Sequence, residues 1–263
     1  MPQYTIFRIL GDESPPRDTP GRRLEALRWI LANEPDFPDC ARWWVVNVAA
    51  DNALRQEYLA VLADARASFT VRNRDWTRYP RAGTHAERVG FIIDINGARN
   101  ACIEHGQRVS RYTFVPDGDC FFFSQDWAEV TRQIAADQAG ASPHMYFSLP
   151  TQRVVAADPT QVAATTTDEP QLAFRYDAAR RYDVKIPFGA GDKQSLLWQL
   201  GYDPLARQPY RQLANPLCLE VGVVRHYANG SDDAEQDTLL RGRLRIQSLQ
   251  NLVARVETQL GLS

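Results

Sequence analysis

The sequence predicts an α/β fold: a doubly wound, mixed but mostly parallel sheet flanked by helices, with a C-terminal helix. Three observations carry this. Short apolar runs alternate with stretches of helical periodicity through the first third of the chain. One of those runs, Trp43–Val48 (WWVVNV), is almost continuously apolar, as suits a strand buried on both faces. The chain has 263 residues and 44% hydrophobic content, enough for one large α/β domain or two small ones and too apolar for global disorder.

Taken in order, Tyr4–Leu10 (YTIFRIL) forms a first strand, ended by Gly11-Asp12 and the Pro15-Pro16 pair. A loop rich in Pro, Arg and Asp follows. Leu24, Leu27, Ile30 and Leu31 then recur at helical spacing, which predicts a helix over Arg22–Asn33, stopped by Pro35 and Pro38. Trp43–Val48 is the second strand, Asn52–Ala65 the second helix and Ser68–Arg72 a third strand. This βαβαβ order opens a sheet of the kind that binds nucleotides at its carboxyl edge. Asn73–Val89 is polar, with Trp76, Tyr79, Pro80 and Gly83 interspersed, and reads as a loop over the sheet edge.

Asn96-Gly97 interrupts the apolar run FIIDI, and Ala98–His105 reads as a short helix with Gly106 at its C-terminus. Arg111–Val115 (RYTFV) is a strand bounded by Pro116, and the chain turns at once into Asp117-Gly118-Asp119. Gln125–Asp137 is a helix with Trp127, Val130 and Ile134 on one face, and His144–Leu149 a strand. Ala156–Asp168 fits either a strand edge or a loop. Leu172–Phe174 is a short strand, and Lys193–Leu200 an amphipathic helix closed by Gly201, with Asp192 in the N-cap position. Cys218–Tyr227 is a strand ending in His226-Tyr227, and Leu239–Leu260 a long helix with Arg241, Arg243 and Arg245 near its start.

Totals exclude several classes. With 30 basic and 32 acidic residues the chain lacks the basic excess of a general nucleic-acid binder. No apolar run approaches the ~20 residues of a membrane span. The N-terminus MPQYTIFRIL has no charged n-region followed by an apolar h-region, which points to a cytoplasmic chain. There the scattered Cys40, Cys102, Cys120 and Cys218, with no CxxC pair, stay reduced. The histidines do not cluster as in a His-rich zinc site.

Two aspartates flanking a glycine at a strand end bring hard oxygen ligands together, suited to Mg²⁺ or Mn²⁺. An Arg-Asn helix (Arg99, Asn100), a glycine, an apolar strand and then Asp-x-Asp resembles the donor-binding centre of GT-A-fold glycosyltransferases, especially the large inverting family that uses nucleotide sugars. The resemblance implies one GT-A-like domain over 1–263, with a nucleotide-binding half at 1–123 and an acceptor half with the C-terminal helix at 124–263. It implies Asp117 and Asp119 as ligands of a divalent cation, Mn²⁺ or Mg²⁺, bridging the donor diphosphate, with Asn96, Arg99, Asn100 and Asp117 beside the nucleotide. Arg8 and the first loop, beginning Gly11-Asp12, stand where such enzymes start to enclose base and ribose. Asn47 ends the second strand where the family usually has a nucleotide-contacting aspartate.

The stretch Gly191-Asp192 to Gly201-Tyr202 is similar to the helix that carries the family's catalytic base, which makes Asp192 the expected base, with Glu169 and Asp203 next in line. The family more often shows Glu-Asp where this chain has Gly191-Asp192, and an aspartate there also serves as a plain N-cap. His226, ahead of a turn containing Gly230, stands where related enzymes often place a third metal ligand; the residue alone equally fits a hydrogen-bonded structural histidine. The expected activity is metal-dependent transfer of a hexosyl group from a nucleotide-sugar donor to an acceptor hydroxyl, on a glycan, lipid-linked sugar, protein or small molecule, with inversion. A sugar-phosphate nucleotidyltransferase would share the sheet and the metal but would carry a glycine-rich Arg/Lys signature after the first strand, for which Arg17, Gly21 and Arg22 are out of order. A non-catalytic nucleotide-sugar-binding protein of the same fold is the third reading.

Overall fold

The computed structural model describes residues 1–49, 52–155, 162–205, 210–228 and 238–262. In chain order the elements are β1 (Tyr4–Leu10), α1 (Arg22–Asn33), β2 (Cys40–Val46), α2 (Ala53–Asp64), β3 (Phe69–Val71), α3 (His85–Ile93), α4 (Ile95–Val109), β4 (Tyr112–Phe114) and β5 (Cys120–Phe121). They continue with α5 (Ser124–Gln138), β6 (Tyr146–Val155), β7 (Val162–Arg175), α6 (Gln194–Gln199), β8 (Cys218–Glu220), β9 (Val224–Ala228) and α7 (Thr238–Gln259). One sheet runs in the order β3-β2-β1-β4-β7-β6-β9-β5, with β8 beside β6. β3, β2, β1 and β4 are mutually parallel, whereas β7 lies antiparallel between β4 and β6.

β1 is buried along its whole length, and its alternation distributes the core. Phe7 and Ile9 pack with Ala98, Cys102 and Ile103 of α4 on one face. Tyr4 and Ile6 pack with Trp127, Val130 and Ile134 of α5 on the other, and Leu10 with Leu24 and Leu27 of α1. Helices therefore cover both faces, and the strand order reverses between β1 and β4. In open α/β sheets such a reversal marks a crevice at the carboxyl ends of the two strands as the place where ligands bind.

Several elements differ from the sequence-based expectation. Asn96-Gly97 and Gly106 do not bound a short helix; both lie inside the longer α4. Gly106 is there for packing: a Cβ on it would stand 2.2 Å from Thr113 Oγ1 on β4. The expected loop Asn73–Val89 contains the first part of α3, nucleated by a reciprocal cap in which Thr84 Oγ1 accepts from the Glu87 N–H and the Glu87 carboxylate accepts from the Thr84 N–H. Asp94, in the left-handed region at φ 40°, separates α3 from α4. The expected strand Cys218–Tyr227 is two strands, β8 and β9, both parallel to β6. Gly222 breaks it at φ 44°, where a Cβ would meet Val130 Cγ2 at 2.5 Å. The undecided stretch Ala156–Asp168 lies outside the described residues up to 161, and β7 begins at Val162.

The C-terminal helix closes the carboxyl edge. Leu252, Val253 and Val256 of α7 pack with Val89 and Ile92 of α3. Arg255 donates to the Glu13 carbonyl at 2.9 Å, and Ser248 Oγ accepts from the Arg17 N–H at 2.9 Å, so α7 also fixes the loop after β1. Among the described residues, no helix is long and apolar enough to cross a membrane.

Candidate active site

The acidic turn is held by backbone before any side chain acts. Asp117 continues the line of β4 and bridges Ile9 at the end of β1. Gly118 passes so close that a Cβ would sit 2.4 Å from the Ile9 carbonyl oxygen, a contact no side chain relieves. The Cys120 N–H then bonds the Asp117 carbonyl at 3.0 Å and closes the turn. β5 starts immediately and pairs antiparallel with β9, setting Cys120 opposite His226. The Tyr227 N–H donates to the Asp119 carbonyl at 2.9 Å. Strand register thus brings His226 against Asp119, with Nε2 3.1 Å from Oδ2.

Arg99, one turn into α4 and 3% exposed, ties the turn to the segment before α6. One arm donates to Asp192 Oδ2 at 2.6 Å and to Asn96 Oδ1 at 3.0 Å; the other donates to Asp117 Oδ1 at 3.1 Å. The guanidinium stands over the Tyr182 ring, 5.1 Å from its centroid. Lys193, also 3% exposed, donates from Nζ to Asp117 Oδ2 at 2.5 Å and to Gln171 Oε1 at 2.9 Å. Asn96 donates to the Asp183 and Asp192 carbonyls, and Asn100 both donates to and accepts from the Tyr182 backbone at 2.9 Å. These two asparagines bind the 182–192 segment to α4.

The electrostatics follow. Burial alone would raise the Asp117 carboxyl, but the Lys193 and Arg99 charges outweigh it and hold it well below the usual carboxylate range. Asp192 is lowered in the same way, burial being outweighed by Arg99. Asp119 is lowered, the His226 contact outweighing burial. Lys193 is raised: burial opposes its charge, and Asp117 overcomes that. Glu169, on β7, goes the other way and is raised, because burial dominates its neighbours' charges.

No protein-family model and no curated protein sequence matches the chain. Solved structures do. GalNAc-T7, crystallised with UDP, GalNAc and Mn²⁺, superposes with a TM-score of 0.51 at 9% identity over 86% of this chain and 44% of that one. The fold is GT-A-like. A mannosyltransferase from Pyrobaculum calidifontis, PcManGT in complex with GDP-Man and Mn²⁺, matches at a TM-score of 0.47 and 12% identity over 96% of this chain and 64% of its own. S. aureus TarS matches at a TM-score of 0.44 and 9% identity over 87% of this chain and 37% of its own. The chain thus spans less than two thirds of each of these structures.

Within this GT-A-like frame the expected site residues divide. Arg99, Asp117, Asp119, Asp192, Asn96, Asn100 and His226 come together at the crevice. Arg8 does not: it lies 1% exposed on the opposite face of β1, donating to the Cys120 carbonyl at 2.6 Å and to the Glu34 carboxylate, with its guanidinium over Trp44. Asn47 is also structural in its contacts, donating to the Ile93 carbonyl at 2.7 Å and accepting from Arg74 at 2.9 Å. Gly11 sits against α1, its missing Cβ 3.4 Å from an Arg23 nitrogen. Asp12 accepts from the Ala49 N–H at 2.8 Å through Oδ2, and burial raises its carboxyl. Asp192 is not the N-cap: α6 begins at Gln194 after Lys193. The Arg99 charge claims its carboxylate more strongly than an orphan N–H could. Asp203 accepts from Arg211 at 2.9 Å, away from this cluster. The turn containing Gly230 lies outside the described residues.

The donor set bears on the expected cation. Among the described residues no group of three or more His, Cys, Asp or Glu is arranged to hold a metal ion. Both oxygens of Asp117 already face cationic side chains, so it does not fit as a ligand. Asp119 and His226 do fit: an oxygen and a nitrogen ~2.1 Å from one ion at a right angle stand ~3 Å apart, the separation their strands impose. Two protein ligands suffice where substrate phosphates and water complete the shell. Lys193, Gln171 and Tyr182 join the cluster beyond the residues expected from the sequence. The only sequence signal for Gln171 was an isolated polar residue within the apolar run after Pro170, and Lys193 followed Asp192 without any local hint of burial.

Proposed function

We propose that the chain is a metal-dependent glycosyltransferase that moves a sugar from a nucleotide-sugar donor to an acceptor hydroxyl with inversion. The observation that carries this is the Asp117-Gly118-Asp119 turn at the crevice between β1 and β4, with strand-fixed His226 facing Asp119 at 3.1 Å. The shared fold of GalNAc-T7, crystallised with UDP, GalNAc and Mn²⁺, supports it.

Asp119 and His226 would hold the divalent cation. Bound there, such an ion supplies electrostatic stabilisation to a departing diphosphate. Asp117, fixed from beneath by Arg99 and Lys193 with its side chain 41% exposed, keeps an outward edge that accepts a hydrogen bond from the donor. Arg99 locks the turn, α4 and the 182–192 segment into one rigid wall. In a single displacement the acceptor hydroxyl loses its proton to a carboxylate as its oxygen attacks the anomeric carbon, and the cluster offers two candidates, Asp192 and Glu169.

The test is thermal unfolding with UDP, GDP and ADP, each with and without Mn²⁺, followed by assay of nucleoside diphosphate release from the corresponding sugar nucleotides. Ligands of the native state raise its melting temperature. Absence of Mn²⁺-dependent stabilisation by every diphosphate would sink the reading. Binding without release or transfer would favour a non-catalytic binding protein, and pyrophosphate release from a nucleoside triphosphate and a sugar phosphate would favour a nucleotidyltransferase.

A further inference from the structure

We propose that Glu169, rather than Asp192, accepts the proton of the attacking acceptor hydroxyl. This role presupposes the transferase reading and assigns its base. The β4–β7 register sets Phe114 opposite Ala173 and runs on through the bond from the Val115 N–H to the Leu172 carbonyl. It brings Gln171 and Glu169 level with the acidic turn. Gln171 points at Asp117 and Lys193, accepting from the Asp117 N–H at 3.1 Å and from Lys193 at 2.9 Å. The β6–β7 register shifts between Gln171 and Asp168, so Glu169 is placed by its contacts: its carbonyl lies 3.4 Å from Gln171 Nε2, and its carboxylate lies among the charges of Lys193, Asp192, Arg99 and Asp117.

Its backbone is fixed, the carbonyl accepting from Thr151 Oγ1 at 3.0 Å and from Gln171 at 3.4 Å. Its carboxylate, in contrast, makes no hydrogen bond or ion pair with another described residue and is partly exposed. Asp192 is the reverse: one oxygen takes the Arg99 guanidinium at 2.6 Å, the other takes the Gly189 N–H at 3.2 Å, and the side chain is 14% exposed. A carboxylate with both oxygens occupied is a positioning group, whereas an open one in the same cluster can receive a proton.

The charged groups around Glu169 come from every neighbouring element: Lys193 and Asp192 before α6, Arg99 of α4, and Asp117 of the turn. Burial raises its carboxyl, bringing it toward neutral pH, where a general base works best. In the step itself the acceptor oxygen forms the glycosidic bond to the anomeric carbon. The bond from that carbon to the diphosphate oxygen breaks and its electron pair leaves with the diphosphate. The acceptor proton moves to Glu169.

The experiment follows Mn²⁺-dependent release of nucleoside diphosphate from sugar nucleotides, with water or an added sugar as acceptor, in the parent, Glu169→Gln and Asp192→Asn. Glu169→Gln should bind the diphosphate with Mn²⁺ as the parent does, release it ~10²–10⁴-fold more slowly, and lose the fall in rate on acidification seen in the parent. If Glu169→Gln does not fold, Glu169→Ala assayed with added formate serves instead, and recovery of rate by formate supports the assignment. Release within a few-fold of the parent by Glu169→Gln, or an acid limb that survives in it and vanishes in Asp192→Asn, overturns it. A parent that releases diphosphate from no sugar nucleotide overturns the transferase reading and this role with it.

Discussion

Replacing Arg99 by methionine keeps the volume of a buried side chain and removes the charge that joins two carboxylates. Arg99 is 4% exposed at its side chain, Asp192 14% and Asp117 41%. Breaking a buried pair by deleting one partner costs ~3–5 kcal/mol, because the other charge is left uncompensated. Asp192 is in that regime. Asp117 is only partly buried and keeps Lys193, so its share is smaller, ~1 kcal/mol. The sum, about 4 kcal/mol, corresponds to a melting temperature lower by roughly 8–16 °C for a chain of this size.

The pH dependence has a definite sign. In the parent, Asp192 and Asp117 lie below their ordinary values because Arg99 and Lys193 outweigh burial. A lowered carboxylate contributes stability that is complete above its unfolded value of ~4 and is lost as pH falls through the folded value. The variant lacks most of that contribution, and its stranded carboxylates become easier to protonate. The gap between parent and Arg99→Met is therefore largest near pH 7 and narrows as pH falls below ~4. Thermal unfolding of both proteins at pH 7 and pH 3.5 measures it. A gap under ~2 °C at pH 7, or one of the same size at both pH values, would refute the account of Arg99 as the charge that holds this wall together.

Three further outcomes are expected. Asp119→Ala should abolish Mn²⁺-dependent stabilisation by nucleoside diphosphates while changing the metal-free melting temperature by less than ~2 °C; thermal shift with and without Mn²⁺ reads both, and unchanged Mn²⁺-dependent binding would remove Asp119 from the cation site. His226→Ala should weaken Mn²⁺-dependent diphosphate binding by ~10-fold or more; calorimetric titration beside thermal unfolding checks it, and lost stability with parental affinity would make the histidine structural. Gly106→Ala should destabilise by ~1–3 kcal/mol through overpacking against Thr113, although alanine ordinarily improves a helix by ~0.5–1 kcal/mol; denaturant unfolding decides, and a more stable variant would mean that α4 does not approach β4 so closely.

What was legible in the sequence was local. The ranges Tyr4–Leu10 and Arg22–Asn33 hold to the residue, because an apolar run and a helical period need only their own neighbours to be read. The turn Asp117-Gly118-Asp119 was visible for the same reason. Gly97 and Gly106 misled because glycine has two uses: a local one, ending helices, and a long-range one, letting another chain approach. Here α4 continues through both, and Thr113 occupies the space beside Gly106. The Thr84-x-x-Glu87 pattern is a local capping signal for the start of α3, although the residues before it are polar. Lys193 could not be assigned from its surroundings, since its partner Asp117 lies 76 positions away.

That long-range pairing changes what each carboxylate of the cluster can do. Four acids of nearly equal intrinsic strength meet at one crevice, and environment alone separates them. Asp117 is saturated from beneath by two buried cations, which leaves it rigid, ionised and available only as an acceptor at its outer edge. Asp192 is held by Arg99 and orients the segment behind it. Asp119 is set against a histidine by strand register, a geometry that suits a shared cation. Only Glu169 is both raised and without a hydrogen-bonding partner among the described residues, the two properties on which its proposed role as proton acceptor rests. The family resemblance implies Asp117, Asp119 and His226 as ligands and Asp192 as the base. On the reading proposed here, the charges around them leave Asp119 with His226 to hold the cation, Asp117 and Asp192 as structural anchors, and Glu169 to take the proton.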